Sequence, residues 1–184
     1  LASEALGLEP FQVSETSFSE LLPGLAAGRW QMTTGLFATA ERERLVDFSL
    51  PIWALADGLL ARKDNPASIT GYRSVSSNGS LKLAVVRGQV QHQTALDCAM
   101  PANRILVFDT YAEAAQAVAS GTADAYASVA HAHLEHIRRN PDAGLRVVQV
   151  PASEKAPAIG AFAFRKGDKL REAVDGWLRA FVGS

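Results

Sequence analysis

Apolar and polar positions follow two regimes along this chain, an irregular one over the first sixty residues and a regular one from residue 81 onward. In the regular part, "LKLAVV" (81–86), "RILVF" (104–108), "DAYA" (124–127) and "LRVVQV" (145–150) read as short buried strands. Between them, Val90 to Cys98, an alanine-rich segment ending at Gly121, and Val129 to Arg139 carry helical spacing. Thr110-Tyr111-Ala112-Glu113 forms a capping box, Ser128 is a candidate cap for the third helix, and Asn140-Pro141 stops it. Strand–helix alternation with short links predicts an α/β fold, a parallel sheet with helices on both faces.

The first sixty residues are less tidy. Phe11 to Val13 is a short strand candidate, and Ser17-Phe18-Ser19-Glu20 is a capping box opening a helix that Gly28 closes. Trp30 to Thr34 and Gly58 to Ala61 read as strands, with Thr39 capping a short helix between them and turn-rich "RKDNPAS" after them. "IGAFAF" (159–164) and a last helix from Asp168 to Phe181 pair poorly with the regular unit and are expected to return to the first sixty residues. The expected organisation is two lobes, 1–61 with 159–184 and 62–158, joined by crossings near Ala61 and Ala158. "LASEALGLEP" reads as the last turns of a helix ending at Gly7, so sequence upstream of Leu1 is expected.

Composition narrows the classes. A net charge of −1 with no basic run argues against a nucleic-acid footprint. No stretch approaches the roughly 18 continuous apolar residues of a membrane span. Cys98 is the only cysteine, which excludes an internal disulfide and a cysteine metal cage.

"ERERLVDFSLPIW" (41–53) resembles the Glu-Arg-x-x-x-Val-Asp-Phe-Ser-x-Pro stretch of the solute-binding proteins of amino-acid-type ABC transporters, family 3. "FSELLPGLAAGRW", "DTYAEAAQAVASGTADAYAS" and "AFAFRKGD" resemble further landmarks of that family, in the same order. The resemblance implies a type II periplasmic-binding-protein fold whose two lobes close on a ligand, with the first strand of lobe 1 missing here. It implies that Arg42 clamps a ligand carboxylate, that the Gly35 carbonyl meets the ligand's amine, and that Phe18 is an aromatic wall. Members that bind α-amino acids have Ser or Thr at Phe37, Asp at Val129 and usually Thr at Val90. Ectoine-binding members share the Gly-x-Phe turn and lack that aspartate, although Val90 departs from their threonine as well. They are the nearest subgroup by these features.

Residue chemistry points the same way. The Arg42 guanidinium offers two parallel donors matched to a carboxylate and keeps its charge, while its bland alternative is a solvated helix arginine paired with Glu41. Arg44 is expected to be the solvated one. Phe37 and Phe18 are either aromatic faces toward a cationic ligand body or lobe core. Gln89 and Gln91, in the "RGQVQHQ" loop, are either ligand donors or ordinary capping residues, and Tyr126 either reaches a cleft or fills space. Trp53 either lines a cleft mouth or packs near the hinge. "HAHLEH" (131–136) has one pair at i, i+3 and lacks a third ligand at metal-site spacing, so a solvated helix face is expected there.

The resulting expectation is an extracytoplasmic, periplasmic or membrane-tethered solute-binding component of an ABC importer. It would bind an ectoine-like or amino-acid-like small carboxylate without a cofactor, act as a monomer and dock on a membrane permease. The alternatives are a receptor's ligand-sensing domain, a binder of aromatic or other organic carboxylates, and, weakest, a cyclohexadienyl-dehydratase-like enzyme. No aligned cleft position supplies the acid–base pair an enzyme would need.

Overall fold

The regular apolar runs become one sheet, and the irregular first part joins the return segment in another. The computed structural model describes residues 7, 10, 12–64 and 67–182. In chain order the elements are a 3₁₀ turn Phe18–Glu20, α1 Leu21–Ala26, β1 Met32–Phe37, α2 Ala40–Glu43, β2 Val46–Phe48, β3 Trp53–Leu55 and β4 Asp57–Arg62. Then come α3 Tyr72–Ser77, β5 Leu83–Val86, α4 Val90–Asp97, a 3₁₀ turn Ala102–Arg104, β6 Ile105–Phe108 and α5 Tyr111–Ala119. β7 Ala125–Val129, α6 Ala130–Arg139, β8 Leu145–Gln149, β9 Ala158–Arg165 and α7 Lys169–Val182 complete the chain. No described helix is long and apolar enough to cross a membrane.

Two compact units result, one from residues 1–54 and 159–184, the other from 55–158. The expected first crossing near Ala61 is corrected to 54/55, because β4 is a central strand of the second sheet. The second falls at 158/159.

In the first unit β9 is the hub. It pairs antiparallel with β1 on one side and β2 on the other, and β3 also joins it. Leu25, Leu36, Val46 and Ala163 form one core cluster, with Phe18 and Trp30 packed on it; Phe164, Val174 and Leu178 form another. Each fully buried leucine, valine or phenylalanine among them contributes about 1.5–3 kcal/mol. Among the described residues β1 has a paired strand on one edge only.

The second unit has the order β6-β5-β7-β4-β8. β5 runs parallel to β6 and β7, but β4 is antiparallel to both β7 and β8. The expected all-parallel sheet is therefore mixed. β4 comes from the irregular part of the chain, and it separates "LRVVQV" from the strands that precede it. Along β7 the side chains alternate: Ala125 and Ala127 join the core of Leu59, Tyr72, Val75 and Leu83, whereas Tyr126 meets Tyr111 and His133.

Local signals fared unevenly. The Thr110–Glu113 capping box forms in both halves, Thr39 caps α2, and Asp168 accepts from Leu170 N at 3.0 Å to open α7. Ser17 makes no side-chain cap, and its turn starts as 3₁₀ rather than α. Ser128 lies inside β7, and Val129 takes the cap position of α6 without a side-chain bond. Gln12 and Val13 carry no regular structure and Val13 is solvent-exposed; Phe11 lies outside the described residues, as does nearly all of the helix end expected before Gly7.

Candidate functional site

The site in the first unit starts from a fault in strand pairing. Met32 and Thr33 oppose Phe164 and Ala163, whereas Leu36 and Phe37 oppose Ala161 and Gly160. Three steps along β1 thus match two along β9, leaving one extra residue and a bulge. Gly35 sits in it at φ 80° with open space beside its Cα, so a side chain would fit sterically but strain the backbone. The bulge resets the alternation, so that Leu36 enters the core and Phe37 is buried directly after it.

Beyond β1 the chain turns at Thr39, whose extended backbone (φ −126°, ψ 151°) suits an N-cap. Its Oγ1 accepts from Arg42 N at 3.3 Å, which sets the single turn of α2. From there the Arg42 side chain folds back on β1, and Nη1 donates to the Phe37 carbonyl at 2.9 Å. The guanidinium carbon lies 5.7 Å from the centre of the Phe18 ring, within cation–π range. Arg42 is only 7 % exposed, so it is not the solvated arginine of the bland alternative; Arg44 is exposed, as expected. Burial pulls the pKa of Arg42 below the ordinary arginine value, with Glu41 opposing. A buried guanidinium is stabilised by an anionic partner more than by a neutral one. Phe18, half-buried, both packs on the Leu25–Leu36 core and offers its face to this cation.

Candidates in the second unit divide. Gln89 is the N-cap of α4 without a side-chain capping bond, and its Oε1 is buried with no hydrogen-bond partner among the described residues. Val90, half-buried, opens the helix. Gln91 is buried, and its Nε2 donates to Asp57 Oδ1 at 2.8 Å, so its amide nitrogen is spent inside the unit. The other oxygen, Oδ2, accepts from the Tyr72 hydroxyl at 2.7 Å. Burial, then the Asp57 charge, holds Tyr72 well above the ordinary tyrosine pKa, so it stays a donor.

Tyr126 is fully buried, edge-on to Tyr111 at 5.0 Å and to His133 at 5.1 Å. Burial pushes its pKa up, and the nearby Ser128 hydroxyl opposes this without reaching hydrogen-bond geometry. Of its two readings, space-filling core is the one its burial matches. Trp53 lies over Gly160, where a Cβ would fall inside the indole, and is edge-on to Phe162 at 6.4 Å. His133 corrects the solvated-face expectation. It is fully buried, with Nε2 facing the Gly58 carbonyl at 3.2 Å and Nδ1 facing the Tyr111 hydroxyl at 2.7 Å. No group of three metal-ligating side chains occurs among the described residues.

Asp57 and His133 are polar anchors that sequence reasoning missed. The available signal for Asp57 was a carboxylate opening the apolar run "DGLLA" with no turn to serve.

Two α/β units, the chain entering the second and returning to the first through an antiparallel strand, define the type II periplasmic-binding-protein class. Residues 1–183 match the bacterial extracellular solute-binding proteins, family 3, and the chain belongs to that family. A probable amino-acid ABC transporter periplasmic-binding protein of Sinorhizobium fredii is 31% identical over 187 residues, covering 93% of this chain. The chain spans 60% of that relative's length. Among solved structures, the arginine-, lysine-, histidine-binding protein ArtJ of Geobacillus stearothermophilus superposes with a TM-score of 0.88 at 20% identity, over 99% of this chain and 76% of that one. EhuB, solved in complex with hydroxyectoine, gives a TM-score of 0.87 at 27% identity, over 98% of this chain and 70% of that one.

Proposed function

We propose that this chain is the ligand-binding part of an extracytoplasmic solute-binding component of an ABC importer, and that it takes a small carboxylate on Arg42. The observation that carries the reading is the guanidinium itself: buried, aimed by the Phe37 carbonyl, and faced by the Phe18 ring. A desolvated cation so held favours a bidentate carboxylate over water. Phe37 and Phe18 supply apolar and π surface for the rest of the ligand, with Gly35, Gln89 and Val90 as further candidate contacts. An ectoine-like compound, a carboxylate on a delocalised cationic ring, matches that combination. Its membrane partner is a permease, and the site of action is periplasmic. Asp57 and Asp175, the buried carboxylates among the described residues, are both engaged by structural donors, which favours binding over acid–base catalysis.

A second reading rests on Val129. An apolar residue stands where family members that bind α-amino acids carry an aspartate, which also suits an aromatic acid with no ammonium group. A thermal-shift panel of ectoine, hydroxyectoine, L-arginine, phenylacetate and benzoate separates the two, because a ligand at 100 times its Kd adds about 2.7 kcal/mol of apparent stability. Stabilisation by the cyclic solutes supports the first reading, and stabilisation by the aromatic acids alone replaces it with the second. If every carboxylate leaves Tm unmoved, both readings fail.

A further inference from the structure

Residues 56 and 57 form a hub where the chain has just entered the second unit. The Ala56 carbonyl accepts from Ala130 N at 2.9 Å, the first amide of α6, and the Asp57 carbonyl accepts from Val150 N at 3.1 Å, past the end of β8. The Asp57 side chain, 2 % exposed, reaches the two helices on its own face of the sheet, taking Tyr72 of α3 on one oxygen and Gln91 of α4 on the other. Both donors are themselves buried. A carboxylate only accepts, so the amide nitrogen of Gln91 must be the atom that faces it.

This bond matters because the start of α4 lacks its usual fastening. Gln89 makes no side-chain cap, unlike Thr39 and Thr110 at their helices. An uncapped helix start is less stable, and the end turns are where a helix frays. Gln91, in that first turn, is instead pinned to the sheet through Asp57.

We propose that Asp57 is a positioning residue: it touches no ligand, but by holding Gln91 it fixes the Gln89–Val90 turn in its binding geometry. The ligand half of this claim rests on the function proposed above; the ordering half does not. Three variants of the chain test it: Gln91→Glu, which sets two carboxylates against each other, Asp57→Asn, and the double Asp57→Asn/Gln91→Glu, which exchanges amide and carboxylate.

In the ligand-free protein, amide hydrogen exchange over residues 88–93 should quicken about tenfold in Gln91→Glu and return to within about twofold of wild type in the exchanged pair. Exchange over 111–119, in α5, should stay unchanged in all three. The Kd of hydroxyectoine or phenylacetate, whichever binds, should follow the same order. The proposal is overturned if exchange over 88–93 does not change in Gln91→Glu, or if the exchanged pair stays as fast as that single variant. It is equally overturned if α5 loosens in parallel, or if exchange quickens while Kd stays constant. Should Gln91→Glu not fold, Gln91→Met removes the donor without adding charge, and its 88–93 exchange and Kd are judged by the same criteria. If wild type binds neither probe, the function reading fails, and exchange alone decides the ordering claim.

Discussion

A buried imidazole records its surroundings in its proton affinity. His133 faces the Gly58 carbonyl with Nε2, which must therefore carry the hydrogen, and so Nδ1 accepts from the Tyr111 hydroxyl. Burial lowers its pKa from 6.5 to about 4, against the opposing hydrogen bonding to the backbone. In the unfolded chain the same group titrates near its ordinary value. Above pH 6.5 both states are neutral and the native arrangement keeps its full benefit. As pH falls toward 4, the unfolded chain takes up a proton that the folded one refuses, and stability declines by an amount on the order of 3 kcal/mol. In urea titrations, this loss between pH 6.5 and 4 should be present in wild type and absent from His133→Gln; equal slopes in the two proteins would contradict the assignment. At this scale the contrast between a buried Arg42 and an exposed Arg44 was legible, because the spacing of Arg42 to the Phe-Ser-x-Pro turn is local in the chain. Gln91 was not. Its partner lies 34 residues upstream, and nothing in "RGQVQHQ" distinguishes an amide turned inward from one left for a ligand.

At the scale of elements, α4 ends as instructively as it begins. Met100 N bonds to the Ala95 carbonyl at 3.0 Å and Ala99 N to the Leu96 carbonyl at 2.9 Å, the paired closure of a Schellman motif. Met100 and Ala95, which such a motif brings together, are both buried in the same core. The position between, where glycine is usual, is Ala99 at φ 61°. A left-handed residue with a Cβ costs about 1–2 kcal/mol, more than glycine loses to its freer unfolded chain, so Ala99→Gly should stabilise the protein by about 0.5–1 kcal/mol in denaturant titration. A loss of similar size would show that the turn is held by something else. The helices and most strands were readable because their periodicity and caps are local. The bulge at Gly35 and the antiparallel insertion of β4 were not, since both are pairing decisions made with segments more than sixty residues away. β4 also explains why the first boundary was placed late: as a sequence it looks like the end of one lobe, and only its partners reveal it as the middle of the next.

Across the whole molecule, two α/β units built from three chain segments carry different loads. The first holds the buried Arg42 on a short turn, with β9 as the strand that unites residues from both ends of the chain. The second buries two polar knots, Asp57–Tyr72–Gln91 and Tyr111–His133–Gly58, one on each face of its sheet. Membership of the family accounts for the architecture, while the ligand class proposed above rests on the side chains that depart from its amino-acid-binding pattern, Phe37 and Val129. The proposed role of Arg42 is to bind a carboxylate. Its most direct test is calorimetry with the stabilising acid from the panel and its neutral carboxamide, each titrated into wild type and Arg42→Ala. The account predicts that wild type prefers the acid by roughly two orders of magnitude, about 3 kcal/mol, and that Arg42→Ala loses this preference. An acid that binds Arg42→Ala as tightly as wild type, or a preference that survives the substitution, would contradict it.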